Sequence, residues 1–476
     1  MLVTFVLMYL AVTIGVGLWA ASRVHNSRDY LLAGRSLPLY MSITVVFATW
    51  FGAETVLAVS STFLKEGLRG VVADPFGFSI CLILVGLFFA RAFYRMNLLT
   101  IGDYYKQRYN RPVELVSSLA ITLSYLGWTS AQMTALGLVF HTLSGGEISL
   151  SAGILIGAGV VVVYTLFGGM WSVAFTDLMQ TAVILFGLLY LAWLLGGMAG
   201  GPSAILAHAS EAEKFVFLPA FELKDLLWFM AALLTAALGS IPQQDVFQRV
   251  TSAKDEKTAV RATLIGGVLY FCIAFVPIYL AYSAFLIDPK MVEPLLADEG
   301  NKHQLILPNL ILNHTPLFAQ VLFFGALLSA ILSTTSGALL APTAIFTENV
   351  LKPFFPHMSD RQFLLTLRLV LIIFALCVLL FALNSEASIY EMVQNAYKVT
   401  LVGCFVPLVF GMYWKRANVP GAMAAVLLGL SGWGLMELLA PEGLVPPQLV
   451  GLAMSLVGMV AGSLSTRAPA QPHHAR

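Results

Sequence analysis

The sequence predicts an all-α integral membrane protein with about 13 transmembrane helices. Of its 476 residues, 59% are hydrophobic and 11% are charged, and the mean hydropathy is +0.85. Soluble globular proteins carry about 25% charged residues, so this chain has too few charges to cover a water-exposed surface. The apolar residues also fall into runs that are long enough to cross a bilayer as helices, which takes ~20 residues.

Thirteen apolar runs qualify, and we number them segments 1 to 13 in chain order. Their predicted bounds are 2–21, 38–64, 70–94, 112–143, 147–168, 171–198, 224–248, 258–287, 316–349, 362–384, 387–414, 418–440 and 446–466. No Gly/Ser-rich or Pro-rich linker separates them, so we expect a single domain.

The basic residues are distributed unevenly between the loops. If the N-terminus is outside, 19 of the 26 Lys and Arg residues fall on the cytoplasmic side and six outside, while Lys398 lies within a helix. Cytoplasmic loops of membrane proteins carry this excess of positive charge. Segment 1 has no basic residue before it and is followed by Arg23 and Arg28, the reverse of a signal peptide. We therefore expect a retained first helix in the cell (plasma) membrane, an outside N-terminus and a cytoplasmic C-terminus.

Segments 2 and 7 contain residues that interrupt helices. Segment 2 has Gly52 at its middle, and segment 7 has Gly239, Pro242 and Asp245 within seven residues. Proline removes a backbone donor and frees carbonyls, which are tolerated at membrane depth only where protein, water or an ion satisfies them. Either break alone could be a plain kink. Two breaks at matching places, five helices apart, are typical of an inverted-repeat transporter with a binding site near the midplane.

Charged residues also interrupt the apolar runs. Glu54, Asp74, Asp177, Asp245 and Lys398 lie inside or at the ends of these runs. A charge at the bilayer centre costs ~2.5–3.5 kcal/mol on insertion scales, so a transport pathway or a pairing must offset it. We expect a functional role for Glu54 and Asp245, with structural pairing as the alternative. Asp177 also fits an interfacial cap.

Segment 9 contains a cluster of hydroxyl residues within "LLSAILSTTSGALLAP", residues 327–342. Ser329, Ser333 and Ser336 are spaced i, i+4, i+7 and share one helical face, with Thr334 beside it. Such side chains usually bond back to a carbonyl or join neighbouring membrane helices. The alternative is that Ser333 and Thr334 combine with freed carbonyls to hold a cation, since hard cations prefer oxygen ligands.

Motifs spread over nearly the whole chain resemble the sodium/solute symporter family, which includes sodium-coupled proline, sugar, sialic acid, pantothenate and choline carriers. The motifs are "YLLAGRSLP", "FGGMWSVAFTDLMQ", "IPQQDVFQRVTSAKDEKTA", "SAILSTTSGALLAPTAIFTENV" and "GMYWKRANVPGA". The resemblance implies a LeuT-type core of two inverted five-helix repeats. The implied units are an extra helix and loop at 1–37, the repeats at 38–198 and 224–414, two extra helices at 415–466 and a cytoplasmic tail at 467–476.

The resemblance also implies a sodium site. The backbone carbonyls at the break of the first core helix fall on Ala48 and Phe51. The remaining ligands fall on the carbonyl of Ala330 and on the hydroxyls of Ser333 and Thr334 in segment 9.

Some members of the family carry a second sodium ion. Its ligands match Asp177, Ser333 and Ser336, followed by one more hydroxyl residue. In this chain that next position is Gly337. We therefore expect one sodium ion rather than two.

The solute pocket of the family lies between the two broken helices and segments 3 and 11. Where the choline-carrier branch has a tryptophan, this chain has Gln243, so the resemblance does not imply an aromatic cage. Three acids near the pocket favour an amine-bearing or zwitterionic solute, with binding of hydroxyl groups or protons by these carboxylates as the alternative. The candidate pocket residues are Trp50, Glu54, Thr55, Asp74, Gln132, Gln243, Asp245 and Tyr397.

Taken together, the residues and the resemblance predict a secondary active transporter. We expect sodium-coupled import of a small organic solute, with Na⁺, the solute and the lipid bilayer as partners and with no nucleic acid or obligate protein partner. The chain has no nucleophile with a nearby base, no HExxH and no phosphate-binding loop, so we do not expect an enzyme. The alternatives are a solute sensor that acts with a separate signalling partner, or a proton-coupled symporter.

Overall fold

The computed structural model describes residues 1–298, 301–385 and 387–465. No β-strand lies in these ranges, where β-pairing is limited to an isolated bridge between Leu37 and Ala253. The predicted all-α fold is therefore confirmed. The predicted cytoplasmic tail, 467–476, lies outside the described residues.

The helices follow the predicted segments closely. The first part of the chain forms Leu2–Ala21, Ser27–Leu32, Leu39–Phe47, Val59–Glu66, Phe78–Leu84, Ala90–Met96, Ile101–Arg108, Arg111–Leu143 and Leu150–Met198. The second part forms Pro202–Glu211, Leu223–Gly239, Gln244–Thr251, Glu256–Ile287, Pro289–Ala297, Ile306–His314, Leu317–Ile345, Asp360–Asn384, Ile389–Thr400, Val406–Tyr413, Val419–Leu439 and Pro447–Leu464.

Shorter helical turns connect or interrupt these helices. The 3₁₀ turns are Ala33–Arg35, Gly67–Val71, Asn301–Leu305 and Lys352–Phe354. The π-helical turns are Glu54–Ala58, Val72–Gly77, Val85–Phe89, Phe346–Leu351 and Leu401–Phe405. Single π turns inside α-helices occur frequently at functional sites. The turns at Glu54–Ala58 and Val72–Gly77 carry three of the candidate pocket residues.

The number of membrane crossings is only partly fixed by helix length. Among the described residues, nine helices are long and apolar enough to cross a bilayer, or ten if the bent pair Leu223–Gly239 and Gln244–Thr251 forms one span. Two of the nine, Glu54–Met96 and Leu150–Met198, contain 43 and 49 residues. At ~1.5 Å per residue each is about twice as long as the ~30 Å hydrocarbon core, so each has room for two crossings. The total of 13 stays a prediction.

Both predicted helix breaks are present. The helix of segment 2 stops at Phe47 and helical structure resumes only after Gly52. Segment 7 bends by 43° between Leu223–Gly239 and Gln244–Thr251. The glycine and proline residues of the two segments therefore act as interruptions, as their backbone chemistry predicts.

Helix Leu317–Ile345 of segment 9 lies in the interior of the protein. Every residue from 323 to 345 is buried, and the helix packs against Leu150–Met198 and Arg111–Leu143. The Tyr164 hydroxyl donates to the Leu332 carbonyl of this helix at 2.9 Å. The hydroxyl cluster therefore faces protein on all sides rather than lipid.

Candidate functional site

The break in segment 2 lies directly against the hydroxyl cluster of segment 9. Ala48 ends the first half of the segment, and the Thr334 hydroxyl donates to its carbonyl at 3.4 Å. A Cβ atom on Gly52 would lie only 2.9 Å from the Thr334 hydroxyl oxygen and 2.8 Å from Oε1 of Gln132. Glycine is therefore required for this close approach of the broken helix to segments 4 and 9.

The neighbouring hydroxyl, Ser333, connects segment 9 to segment 6. Its Oγ donates to Oδ1 of Asp177 at 2.6 Å, and all three of Ser333, Thr334 and Asp177 are fully buried. A hydroxyl that donates its proton to a carboxylate keeps its lone pairs for another partner. Ser336 instead donates to the Ser333 carbonyl at 2.8 Å, and Thr335 to the Ile331 carbonyl at 2.5 Å. Thr335 is therefore satisfied within its own helix.

The five predicted sodium ligands are all carbonyl or hydroxyl oxygens. Ala48 and Phe51 belong to the non-helical stretch 48–52, and Ala330 lies one turn before Thr334. Carbonyl and hydroxyl oxygens are the ligands that a hard cation prefers. The structure places the Thr334 hydroxyl against the Ala48 carbonyl, with Ser333 as the preceding residue of segment 9, while the assignment of all five as ligands stays a prediction.

An aromatic cluster lies beside the break, and the sequence did not predict it. The Trp50 ring stacks on Phe78 with 5.0 Å between ring centroids, and Tyr397 packs edge-on against Phe78 at 5.2 Å. Trp128 packs against Tyr397 at 5.9 Å and against Tyr125 at 5.7 Å. Segments 2, 3, 4 and 11 thus each contribute rings to one buried group.

The acids of segments 2 and 3 are held by polar partners on other helices. Asp74 accepts hydrogen bonds from Thr55 and from Tyr270, each at 2.6 Å, and the two hydroxyls are 3.1 Å apart. Glu54 accepts a hydrogen bond from Gln394 at 3.2 Å. Both acids are buried, so these bonds offset part of the cost of removing them from water.

The second break places Gln243 and Asp245 in different surroundings. Gln243 donates to Ser124 at 3.2 Å and to Thr400 at 3.3 Å. Asp245 accepts from the Tyr125 hydroxyl at 2.6 Å, and its Oδ2 lies 3.8 Å from Nη1 of Arg249. Asp245 therefore has the structural pairing that the sequence left open as the alternative.

Several residues around the breaks were missed by sequence reasoning. Tyr125, Trp128 and the predicted Gln132 are spaced i, i+3, i+7, which places them on one face of a helix. Helical periodicity could therefore have predicted that Tyr125 and Trp128 lie near the pocket. Gln394 lies three residues before Tyr397 on the same helix, which is a similar signal. The sequence gives no indication that Tyr270 belongs to the site, because Tyr270 and its partner Asp74 are 196 positions apart in the chain.

Five buried polar atoms of the candidate pocket have no hydrogen-bond partner among the described residues. They are Nε1 of Trp50, Nε2 of Gln132, Oε1 of Gln243, Oδ2 of Asp245 and the hydroxyl of Tyr397. Buried polar groups in native proteins are nearly always hydrogen-bonded, so each of these calls for an explanation. Donors and acceptors on both broken helices and on segments 4 and 11 are therefore available to a bound solute.

Comparison with known proteins identifies the family. Residues 30–429 match the Sodium:solute symporter family. The chain is 26% identical over 469 residues to high-affinity choline transporter 1 of Caenorhabditis elegans, covering 93% of this chain and 78% of the relative. It is 26% identical over 483 residues to the osmoregulated proline transporter of Bacillus subtilis, covering 96% and 93%.

A solved structure confirms the fold. The chain is similar to a Na⁺-coupled sialic acid symporter in a substrate-bound outward-open state, with a TM-score of 0.84, 20% sequence identity and 99% of each chain covered. The helix breaks and the apolar helices described above agree with this LeuT-type architecture. The chain therefore belongs to the sodium:solute symporter family, and it is a multi-pass, Na⁺-coupled membrane transporter rather than an enzyme.

Proposed function

We propose that one sodium ion binds between the break of segment 2 and segment 9, held by the carbonyls of Ala48, Phe51 and Ala330 and the hydroxyls of Ser333 and Thr334. The observation that carries this proposal is the 3.4 Å contact between the Thr334 hydroxyl and the Ala48 carbonyl across the break. Neutral oxygens bind a monovalent ion weakly enough to release it in each cycle, which a transporter requires.

The same break connects the sodium site to the proposed solute pocket. Ala53 directly follows Gly52, and its backbone N–H donates a hydrogen bond to Oε1 of Gln132 at 3.0 Å. Sodium that draws the two halves of segment 2 toward segment 9 therefore also positions Trp50 and Gln132. Solute and ion then move inward together, and the membrane potential contributes ~2.3 kcal/mol per charge per 100 mV.

We propose that the solute carries a positively charged nitrogen, as an amine or a zwitterion. Trp50, Phe78, Trp128 and Tyr397 form one aromatic cluster, and aromatic faces attract cations. Glu54 is buried on the turn that follows the break and supplies a carboxyl group that can pair with a cation. The choline and proline relatives are named for solutes that both contain such a nitrogen.

A thermal-stability screen tests this assignment and identifies the solute at the same time. The purified protein is heated with choline, proline and other small amines, sugars and carboxylates, in sodium chloride and in potassium chloride. A bound ligand raises the unfolding temperature by mass action. We expect one nitrogen-bearing compound to stabilise the protein in sodium only. Stabilisation by sugars or carboxylates alone would contradict the solute class.

The aromatic cluster provides a quantitative prediction. Replacing Trp128→Leu removes a cation-binding face from the pocket, and a desolvated cation–π contact contributes about 1–2 kcal/mol. We expect the Kd of the compound found in the screen to rise by roughly 5- to 30-fold, with sodium affinity unchanged. Trp193→Leu, at a tryptophan that is 73% exposed, is the control and should change neither Kd. Equal effects of both variants would contradict the pocket assignment.

We also propose that the N-terminus lies outside the plasma membrane and that residues 38–198 and 224–414 are the two inverted repeats. The 19 to six distribution of basic residues supports this orientation. The two helix breaks, at 48–52 and near Pro242, fall in the first helix of each proposed repeat, as inverted symmetry requires.

A further inference from the structure

A groove opens on the protein surface between segments 3, 8 and 11, at the helix ends that the proposed orientation places in the cytoplasmic leaflet. Its volume is about 400 Å³. Leu87, Phe88 and Tyr413 line it, and their exposed fractions are 60%, 55% and 58%. The Tyr413 hydroxyl donates to the Phe88 carbonyl at 2.6 Å and so joins segment 11 to segment 3. Large exposed apolar side chains on membrane helices face lipid, so the groove is open to the bilayer.

Two arginines, Arg91 and Arg95, form the polar end of this groove. Both contact Glu256 at the start of segment 8 through Nε, at 3.0 and 2.7 Å, and their side chains are 67% and 66% exposed. A guanidinium carries several N–H donors, and one shared carboxylate cannot accept all the donors of two arginines. Donors therefore remain for a further anionic partner, and the planar guanidinium suits the oxygens of a phosphate group.

A second cavity extends the positive charge beyond the groove. Its volume is about 460 Å³, and Arg95 lines both the groove and this cavity. Arg28 and Arg35 line it as well, and both donate to Oδ1 of Asn97, Arg28 at 2.5 Å. Together, the described residues that line the groove and the cavity include four arginines and one glutamate, Glu256. The region therefore keeps an excess of positive charge.

We propose that the groove binds one anionic phospholipid, with its phosphate against Arg91 and Arg95 and an acyl chain along Leu87 and Phe88. Along segment 3 the wall changes from apolar side chains to the two arginines at the helix end, and a phospholipid changes from acyl chain to phosphate in the same way. Basic pockets between membrane helices on the cytoplasmic side bind anionic head groups. The leaflet follows from the proposed orientation, whereas the binding itself requires only the groove and its arginines.

Native mass spectrometry of the purified full chain in neutral detergent tests this proposal. The protein is titrated with dioleoylphosphatidylglycerol or with dioleoylphosphatidylcholine, which has the same acyl chains and a zwitterionic head group. We expect one tightly bound phosphatidylglycerol per chain, with a Kd roughly 10- to 30-fold lower than that of phosphatidylcholine. Equal affinities for the two lipids would overturn the proposal. Inorganic phosphate that binds as tightly as phosphatidylglycerol would also overturn it, because the acyl chain would then contribute nothing.

Paired variants locate the bound lipid. Arg91→Gln combined with Arg95→Gln should raise the Kd of phosphatidylglycerol by roughly 10- to 30-fold. Lys106→Gln combined with Arg361→Gln is the control, because it removes the same number of exposed positive charges from residues that do not line the groove. The control should keep the wild-type Kd. Equal losses in both double variants would mean that general surface charge attracts the lipid, and the groove assignment would be wrong.

A conservative pair separates the charge of the two arginines from a role in folding. Arg91→Lys combined with Arg95→Lys keeps both charges and should still prefer phosphatidylglycerol over phosphatidylcholine. Sodium-dependent thermal stabilisation should be unchanged in the glutamine and lysine variants, since the groove contains none of the proposed sodium or solute ligands. If the glutamine variant lost its response to sodium as well, the arginines would act through folding and the lipid assignment would be wrong. Wild-type protein that binds sodium and does not distinguish the two lipids would overturn this inference alone.

Discussion

Replacing Ser333→Ala and Thr334→Ala together is expected to abolish sodium-dependent transport. Each substitution removes one proposed ligand oxygen from the sodium ion. A polar contact with a charged group contributes about 1.5–3 kcal/mol, which corresponds to a roughly 10- to 150-fold loss of affinity for each hydroxyl. The loss is measured as the sodium concentration that gives half-maximal stabilisation or uptake.

Thr335→Ala is the matched control for the double variant. Thr335 is the adjacent hydroxyl residue, it is fully buried as well, and its hydroxyl bonds to the Ile331 carbonyl of its own helix. The Thr335→Ala variant should therefore bind sodium with wild-type affinity. If Thr335→Ala lost as much affinity as the double variant, the hydroxyls would act through helix packing, and the ligand assignment would be wrong.

The substitution Gly52→Ala is expected to weaken sodium binding and solute binding together. The added Cβ lies within 2.9 Å of both Oε1 of Gln132 and Oγ1 of Thr334, so the sodium side and the solute side of the break must both shift. Overpacking of this kind costs about 1–3 kcal/mol, or roughly 5- to 150-fold in affinity. Both affinities can be measured by thermal stabilisation of the purified variant.

A glycine in open space supplies the comparison for Gly52. Gly159 is exposed on helix Leu150–Met198, and a Cβ there would meet no atom within 4 Å. Gly159→Ala should leave both affinities unchanged. A Gly52→Ala variant that lost solute affinity but kept sodium affinity would show that the break does not connect the two sites.

Much of this architecture could be predicted from local sequence. Apolar runs identify membrane helices because the bilayer core has no water to satisfy the backbone. Gly52 and Pro242 predicted the two breaks through their own backbone chemistry. This prediction did not depend on which residues pack against them. The hydroxyl face of segment 9 followed from helical periodicity, and the structure places Ser333 of this face against Asp177 and the adjacent Thr334 against Ala48.

What the sequence could not predict are contacts between distant segments. Asp74 meets Tyr270, and Asp245 meets Tyr125, only because the helices pack as they do. The absence of a tryptophan at Gln243 argued against an aromatic cage, yet rings from five other positions form a cluster beside the break. Gly337 was noted as a missing hydroxyl, but the Arg249 guanidinium that fills its space became evident only from the packing of segment 7 on segment 9.

The most direct test of sodium-driven symport is solute uptake into proteoliposomes with an imposed sodium gradient. The solute is the compound that stabilises the protein in sodium, and a potassium gradient and a proton gradient of equal size serve as controls. We predict that only the sodium gradient drives the solute to accumulate above its own electrochemical equilibrium. This accumulation should be lost when a sodium ionophore is added. Accumulation that follows the proton gradient and ignores sodium would contradict the account.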